Sequence, residues 1–284
     1  MTEGRGADEG AKGAIEAGKG ATEGKAAAFF DLDKTLIEGS SALHFARAAY
    51  RNGMLSRRQL ARDGWENVKF RLRGSTDQGT DALRERILEA IAGQRVVDLA
   101  RLGPDVLAGI LPLVYKEMLG EAYAHQDAGR PAYIVTAASQ ELADVLARVL
   151  VLDGGLGMRS EVRDGVYTGQ AAGPFTYREG KAEAIRQLAA EQGIDLAESF
   201  AYSDSESDLP MLRAVGHPVA VNPDAALGRV AREEGWRIMR FEKLGRRLKM
   251  AAGAAAVALA AGGGGFITAT RLRRPRRRRR LGLR

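Results

Sequence analysis

The stretch "AAAFFDLDKTLIEGSS", residues 26–41, runs from an apolar segment straight into two aspartates one residue apart. A continuous apolar run of this length reads as a strand buried on both faces. Residues 26–30 therefore predict a strand whose end carries Asp31 and Asp33. Removing carboxylates from water is costly unless they are paired. The two aspartates belong either to a solvated turn or to a site that holds something positive between them.

Similar runs recur downstream: "AYIVTA" at 132–137, "SFAYSD" at 199–204 and "PVAVN" at 218–222, each ending in polar residues. Between them lie helical patterns. "REGKAEAIRQLAAEQG" (178–193) places Ala182, Ile185, Leu188 and Ala189 on one face, with Gly193 as a stop. "SDLPMLRAVG" (207–216) and "NPDAALGRVAREEG" (222–235) each have a capping residue ahead and a glycine behind. Strands alternating with helices predict an α/β fold with a doubly wound, mainly parallel, Rossmann-like sheet. "SEVRDGVYTG" (160–169) has an Asp-Gly turn between alternating residues and predicts an appended hairpin.

Between the first two strands the rhythm changes. Residues 41–129 carry the patterns "SALHFARAAYRNG", "SRRQLARDGWENVKFRLRG", "STDQGTDALRERILEAIAGQ" and "PDVLAGILPLVYKEMLGEAYAHQDAG". A block this long exceeds any ordinary βα loop and predicts an inserted all-helical cap domain. The expected division is a catalytic core of 26–40 and 130–241, a helical cap of 41–129, a disordered start over 1–25, and a tail over 242–284. The first 25 residues are rich in Gly, Ala and mixed charge and lack the apolar surface to offset ordering entropy.

The chain has no cysteine, which excludes disulfides, thiolate metal sites and a cysteine nucleophile. His44, His125 and His217 lack metal-ligand spacing. The formal charge of +7 suggests a nucleic-acid binder until it is located. "RLRRPRRRRRLGLR" (271–284) holds nine arginines, and removing them from +7 leaves −2 for the rest. The body is near neutral, so specific nucleic-acid binding is not expected of it.

In open α/β sheets the functional crevice lies beyond the carboxyl ends of the strands. The strand ends here deliver Asp31, Asp33 and Thr35, then Thr136, then Asp204 and Asp208, with Lys181 near a helix start. Mg²⁺ takes oxygen ligands, commonly one or two carboxylates plus phosphate and water. A carboxylate can attack phosphorus to form an aspartyl-phosphate, and a second acid nearby can serve the leaving oxygen and then water. Asp33, two residues from Asp31, is placed for the second role.

"DLDKT", "IVTAAS", the isolated Lys181 and "SDSESDLPML" together resemble the four ordered motifs of the haloacid dehalogenase superfamily, specifically its phosphoserine-phosphatase-like branch (subfamily IB). The resemblance covers residues 26–241 and implies a hydrolase of phosphoric monoesters. It implies Asp31 as nucleophile and Asp33 as general acid/base, with Thr136 and Lys181 on the phosphoryl group. Mg²⁺ would be held by Asp31, the Asp33 backbone carbonyl and Asp204, with Asp208 behind it orienting water and Lys181.

Phosphoserine phosphatases of this branch carry a glutamate nine residues after the nucleophile, and here that position is Ser40. Ser40, with Arg71 and Arg73 in "KFRLRG", is therefore a candidate for selecting the substrate, a small phosphorylated metabolite. His44 is a further candidate to face the pocket. Two rival functions remain on the residues alone. One is a phosphatase of lipid-linked phosphate or a phosphotransferase at the membrane surface. The other is a non-catalytic, membrane-associated regulatory module.

Residues 250–270 contain no charge over twenty-one residues, long enough to span a bilayer but rich in Ala and Gly. Basic residues flank them on both sides, so either orientation conflicts with the positive-inside tendency. Three readings of 250–284 stand: attachment to an anionic membrane surface, a single span, or a free tail. No secretory signal precedes the first strand, so the expected location is cytoplasmic, with membrane association through the tail as the addition.

Overall fold

The computed structural model describes residues 25–54, 84, 85 and 87–241. Among them, six parallel strands form one sheet in the order β3-β2-β1-β6-β7-β8. The strands are β1 (Ala28–Asp31), β2 (Ala132–Ser139), β3 (Gly154–Met158), β6 (Phe200–Ser203), β7 (His217–Val221) and β8 (Arg237–Met239). The four apolar runs became β1, β2, β6 and β7. Strands β4 (Ser160–Arg163) and β5 (Val166–Ala171) form the antiparallel hairpin, with Asp164 and Gly165 both at positive φ in its two-residue turn.

Helices α1 (Ser41–Arg51), α2 (Val96–Ala100), α3 (Gly103–Ile110) and α4 (Lys116–Asp127) lie between β1 and β2. Helix α5 (Gln140–Val149) joins β2 to β3, and α6 (Glu179–Gln192) returns to β6. Helix α7 (Leu209–Leu212) and α8 (Ala225–Glu233) complete the second half. Side chains alternate between sheet faces. Ala28 and Phe30 pack with Ala48, Ile110, Met118 and Leu146 in one cluster, while Ala27 and Phe29 pack with Ile185, Met211 and Leu227 in another. Helices α1, α3, α4 and α5 thus cover one face, and α6, α7 and α8 the other.

One expectation needs correction. The pattern over 104–129 is not one helix: α3 ends at Ile110, a 3₁₀ turn spans Leu111–Leu113 around Pro112, and Val114 is extended. Proline removes a helical hydrogen bond, and the freed backbone bonds the loop after β1 instead, Tyr115 N–H to Leu36 O and Glu38 N–H to Leu113 O. Strand β3, "GGLGM", was not among the expected strands, because glycines interrupt its two apolar side chains, Leu156 and Met158. A Cβ at Gly155 would lie 2.6 Å from the Ala143 backbone, and one at Gly157 2.7 Å from Ser139 O. These glycines let α5 sit directly on the strand.

The segments 56–74 and 1–24, Arg71, Arg73 and the tail 242–284 lie outside the described residues. No helix among the described residues is long and apolar enough to cross a membrane.

Candidate active site

Asp31 closes β1, and Asp204 follows β6, the strand hydrogen-bonded to it. In a sheet of this order the chain leaves β1 and β6 in opposite directions, so the crevice lies between their carboxyl ends. By strand alternation Asp31 points to the face covered by α6. There Lys181, in the first turn of α6, places Nζ 2.5 Å from Asp31 Oδ1 and 2.7 Å from Asp208 Oδ2. The Ser203 hydroxyl also donates to Asp208 Oδ2, at 2.7 Å. Asp31, Lys181 and Asp208 are all buried. Asp204 is buried beside them, and Lys34, at positive φ in the loop after β1, reaches in to 3.5 Å from its Oδ2.

Three buried carboxylates thus face a single buried ammonium, with Lys34 reaching in from the surface. Burial pushes the Asp31 carboxyl up; Lys181 opposes this, and Asp208 and Asp204 reinforce it. Burial likewise pushes Asp204 up to about 6, against the pull of Lys34. Burial would lower Lys181, but the attraction of Asp208 and Asp31 overrides it and holds the ammonium protonated. The shifts agree: the cluster is short of positive charge.

That shortage fits a cation. Asp208 Oδ1 is buried with no hydrogen-bond partner among the described residues, an acceptor that a metal-bound water would satisfy. Among the described residues no three acidic, His or Cys side chains form a ready-made metal cage. Mg²⁺ does not need one, because it keeps several waters and uses one or two carboxylates together with substrate oxygens.

Asp33 sits differently. Its Oδ1 accepts from the Ser41 N–H at 2.8 Å and its Oδ2 from the Ser40 hydroxyl at 3.1 Å. It therefore orients the start of α1, and α1 orients it. Ser40, a candidate for substrate selection, is engaged with Asp33 in this arrangement. Thr136 is buried one residue beyond the Asp31–Val135 pairing, with its Oγ1 accepting from the Ala138 N–H at 3.1 Å. The helix begins only at Gln140, capped by Ser139, so Thr136 belongs to the strand and not to the helix start.

A family model of haloacid dehalogenase-like hydrolases matches residues 28–213. The chain belongs to that family. Among its relatives, a probable phosphatase of Mycobacterium tuberculosis is 39% identical over 224 residues, 78% of each chain. Phosphoserine phosphatase SerB1 of the same organism is 40% identical over 218 residues, 76% of this chain and 71% of the relative. A solved structure of a protein of unknown function from Bordetella pertussis Tohama I superposes with a TM-score of 0.67 at 29% identity, covering 76% of this chain and 98% of that one. As a haloacid dehalogenase-like hydrolase the protein is an enzyme.

Sequence reasoning missed Ser203, Lys34 and Asp224 as parts of this site. Ser203 precedes Asp204 and Lys34 lies inside "DLDKT", so proximity in the chain was the available signal for both. Asp224 caps α8 and accepts from the Glu206 N–H at 3.1 Å, while its own N–H donates to Asp204 O at 2.9 Å. It braces the loop that carries Asp204 and Asp208, and only the tertiary fold reveals this.

Proposed function

We propose that this enzyme is a Mg²⁺-dependent phosphomonoester hydrolase that acts through an aspartyl-phosphate on Asp31. The observation that carries the reading is the buried Asp31–Lys181–Asp208 ion-pair cluster beside Asp204 at the sheet edge, with its excess of negative charge. An Asp31 held partly neutral by burial is a poor nucleophile, so the site favours a bound cation that restores the carboxylate. Asp31, Asp204 and the Asp33 carbonyl would hold Mg²⁺, which when bound would neutralise charge on the phosphoryl oxygens.

The chain's own groups do the rest. Asp31 attacks phosphorus in line with the leaving oxygen. Lys181 offsets the repulsion between the carboxylate and the incoming anion. Asp33 protonates the leaving oxygen and then accepts a proton from the water that hydrolyses the acyl-phosphate. For that exchange Asp33 must give up one hydrogen bond, and the Ser40 hydroxyl can rotate away while the Ser41 N–H keeps the carboxyl in place. Thr136 would donate to a phosphoryl oxygen once its hydroxyl turns outward. Asp208 fixes Lys181 from behind.

The names of the relatives support a small phosphorylated metabolite as substrate. The division into core (26–40, 130–241) and helical cap (41–129), and a cytoplasmic location with the tail touching membrane, are part of the same proposal. The test is turnover of p-nitrophenyl phosphate. Wild type with Mg²⁺ should hydrolyse it, chelation should silence it, and Asp31→Asn should lower kcat at least about a thousandfold with an unchanged circular dichroism spectrum. Undiminished activity in Asp31→Asn sinks the mechanism. Asp33→Asn should lose at least about a hundredfold.

A further inference from the structure

Helix α1, whose first turn is held by Asp33, carries a charged stripe away from it. His44, Arg47 and Arg51 follow Ser41 along α1 and, with Asp105 and Gly109 of α3, line a cavity of about 280 Å³. At 1.5 Å of rise per residue, His44 lies roughly 4.5 Å and Arg47 roughly 9 Å along the axis from Ser41. His44 is near enough to Asp33 and Arg47 to feel both charges. A Cβ at position 109 would come within 2.4 Å of His44 Nδ1, so the missing side chain of Gly109 is what seats the imidazole between the helices.

The cavity is positive. Among the described lining residues the one carboxylate, Asp105, already accepts from the Asn52 amide at 3.0 Å. Among the described residues, neither Arg47 nor Arg51 is ion-paired. Arg47 and Arg51 are exposed and border a cavity that begins one turn from the acid/base group, with an imidazole seated at the near end.

We infer that this cavity is a subsite for a second anionic group, a phosphate or carboxylate, carried by the leaving group of the substrate. Resting on the phosphohydrolase reading, the inference narrows the substrate to a phosphomonoester with a further anion one to two helical turns away. Arg47 and Arg51 would bind that anion through charge-assisted hydrogen bonds. His44 would donate from whichever ring nitrogen faces it. Among the described lining residues two arginines outweigh the one carboxylate, Asp105, so a cationic leaving group is disfavoured there.

The test is calorimetric titration of full-length Asp31→Asn, with Mg²⁺, using butane-1,4-bisphosphate, 4-phosphooxybutanoate and butyl phosphate. At least one probe with a second anionic group should bind about tenfold or more tighter than butyl phosphate, and which one does so distinguishes a phosphate from a carboxylate. Arg47→Gln/Arg51→Gln should collapse that ratio to near one, and Gly109→Ala, by displacing His44, should reduce it. Equal affinities in the parent protein, or a ratio that survives the double substitution, overturn the subsite. Wild-type turnover of p-nitrophenyl phosphate separates the two claims. Turnover without an advantage for the second anionic group refutes the subsite alone, whereas no turnover and no binding refute the reaction with it.

Discussion

Neighbouring residues of β6 serve two buried polar clusters on opposite faces of the sheet. Ser203 turns toward Asp208, Lys181 and Asp31. Tyr202 turns the other way, stacked on Phe30, and its hydroxyl lies 2.8 Å from His125 Nε2 and donates to Glu121 at 3.2 Å. Arg130 Nε donates to His125 Nδ1 at 2.8 Å, which leaves Nε2 to carry the proton given to Tyr202. Arg237 closes the chain with two bonds to the Glu121 carboxylate. In this second network both ring nitrogens of His125, the Tyr202 hydroxyl and both Glu121 oxygens have partners. The first has an orphaned acceptor and too little positive charge. A closed network specifies packing, whereas an open one is waiting for a ligand.

The largest effect expected from breaking this contrast comes from Lys181→Met. It strips their ammonium partner from two buried carboxylates and should destabilise the metal-free protein by about 3–5 kcal/mol near pH 7.5. Urea denaturation should show a smaller loss at pH 5, where Asp31, raised by burial, is protonated. Tyr202→Phe leaves the His125 donor unpaired and should cost about 1–3 kcal/mol while turnover persists. A loss of turnover with an intact fold would mean that the two faces are coupled.

The two clusters should also respond to pH with opposite signs. Asp31 and Asp204 have raised folded-state pKa values. Their contribution to metal-free stability is full below about pH 4 and lost as pH rises through about 6 for Asp204. Burial, reinforced by Arg130, lowers His125 to about 4. Its contribution is full above about pH 6.5 and lost as pH falls toward 4. Melting curves without metal should therefore show Asp31→Asn gaining on wild type at pH 8 and little at pH 4, and Mg²⁺ should narrow the gap. His125→Gln should lose less stability than wild type on acidification. Parallel pH profiles for both variants and wild type would refute the contrast.

The smallest effect lies outside both clusters. Helix α5 ends with Leu152 N–H bonded to Ala147 O and Val151 N–H to Arg148 O, with Val151 at φ 54°. That position suits glycine, and a β-branched residue there is strained. Val151 is also largely exposed, so Val151→Gly should gain roughly 0.5–1 kcal/mol in chemical denaturation without altering kcat.

Much of this architecture could be read before the coordinates. Continuous apolar runs mark β1, β2, β6 and β7 because a sheet covered on both faces leaves no polar side to alternate. Gly193 ends α6 at φ 67°, and Asp164-Gly165 turns the hairpin, because both are local backbone requirements. Strand β3 escaped because its residues answer to the close approach of α5 and not to strand propensity. The ordered motifs bring Asp31, Lys181, Asp204 and Asp208 to one edge. Less legible was Asp33, whose partners Ser40 and Ser41 belong to the next helix, and whose role in starting α1 appears only when the loop closes. The pairing of His125 with Tyr202, 77 residues away, leaves no local signature.

The helical insertion is fastened at two points. Asp33 holds its first turn, and near its middle Gly93 N–H bonds Tyr167 O, Tyr167 N–H bonds Gln94 O, and Val96 N–H bonds Gly165 O. Strand β5, reached only after the third strand of the sheet, is therefore the insertion's second mooring. Recombination that exchanged this insertion between related enzymes would have to carry two separated pieces of chain, the helices and the hairpin, and those pieces should be inherited together or not at all.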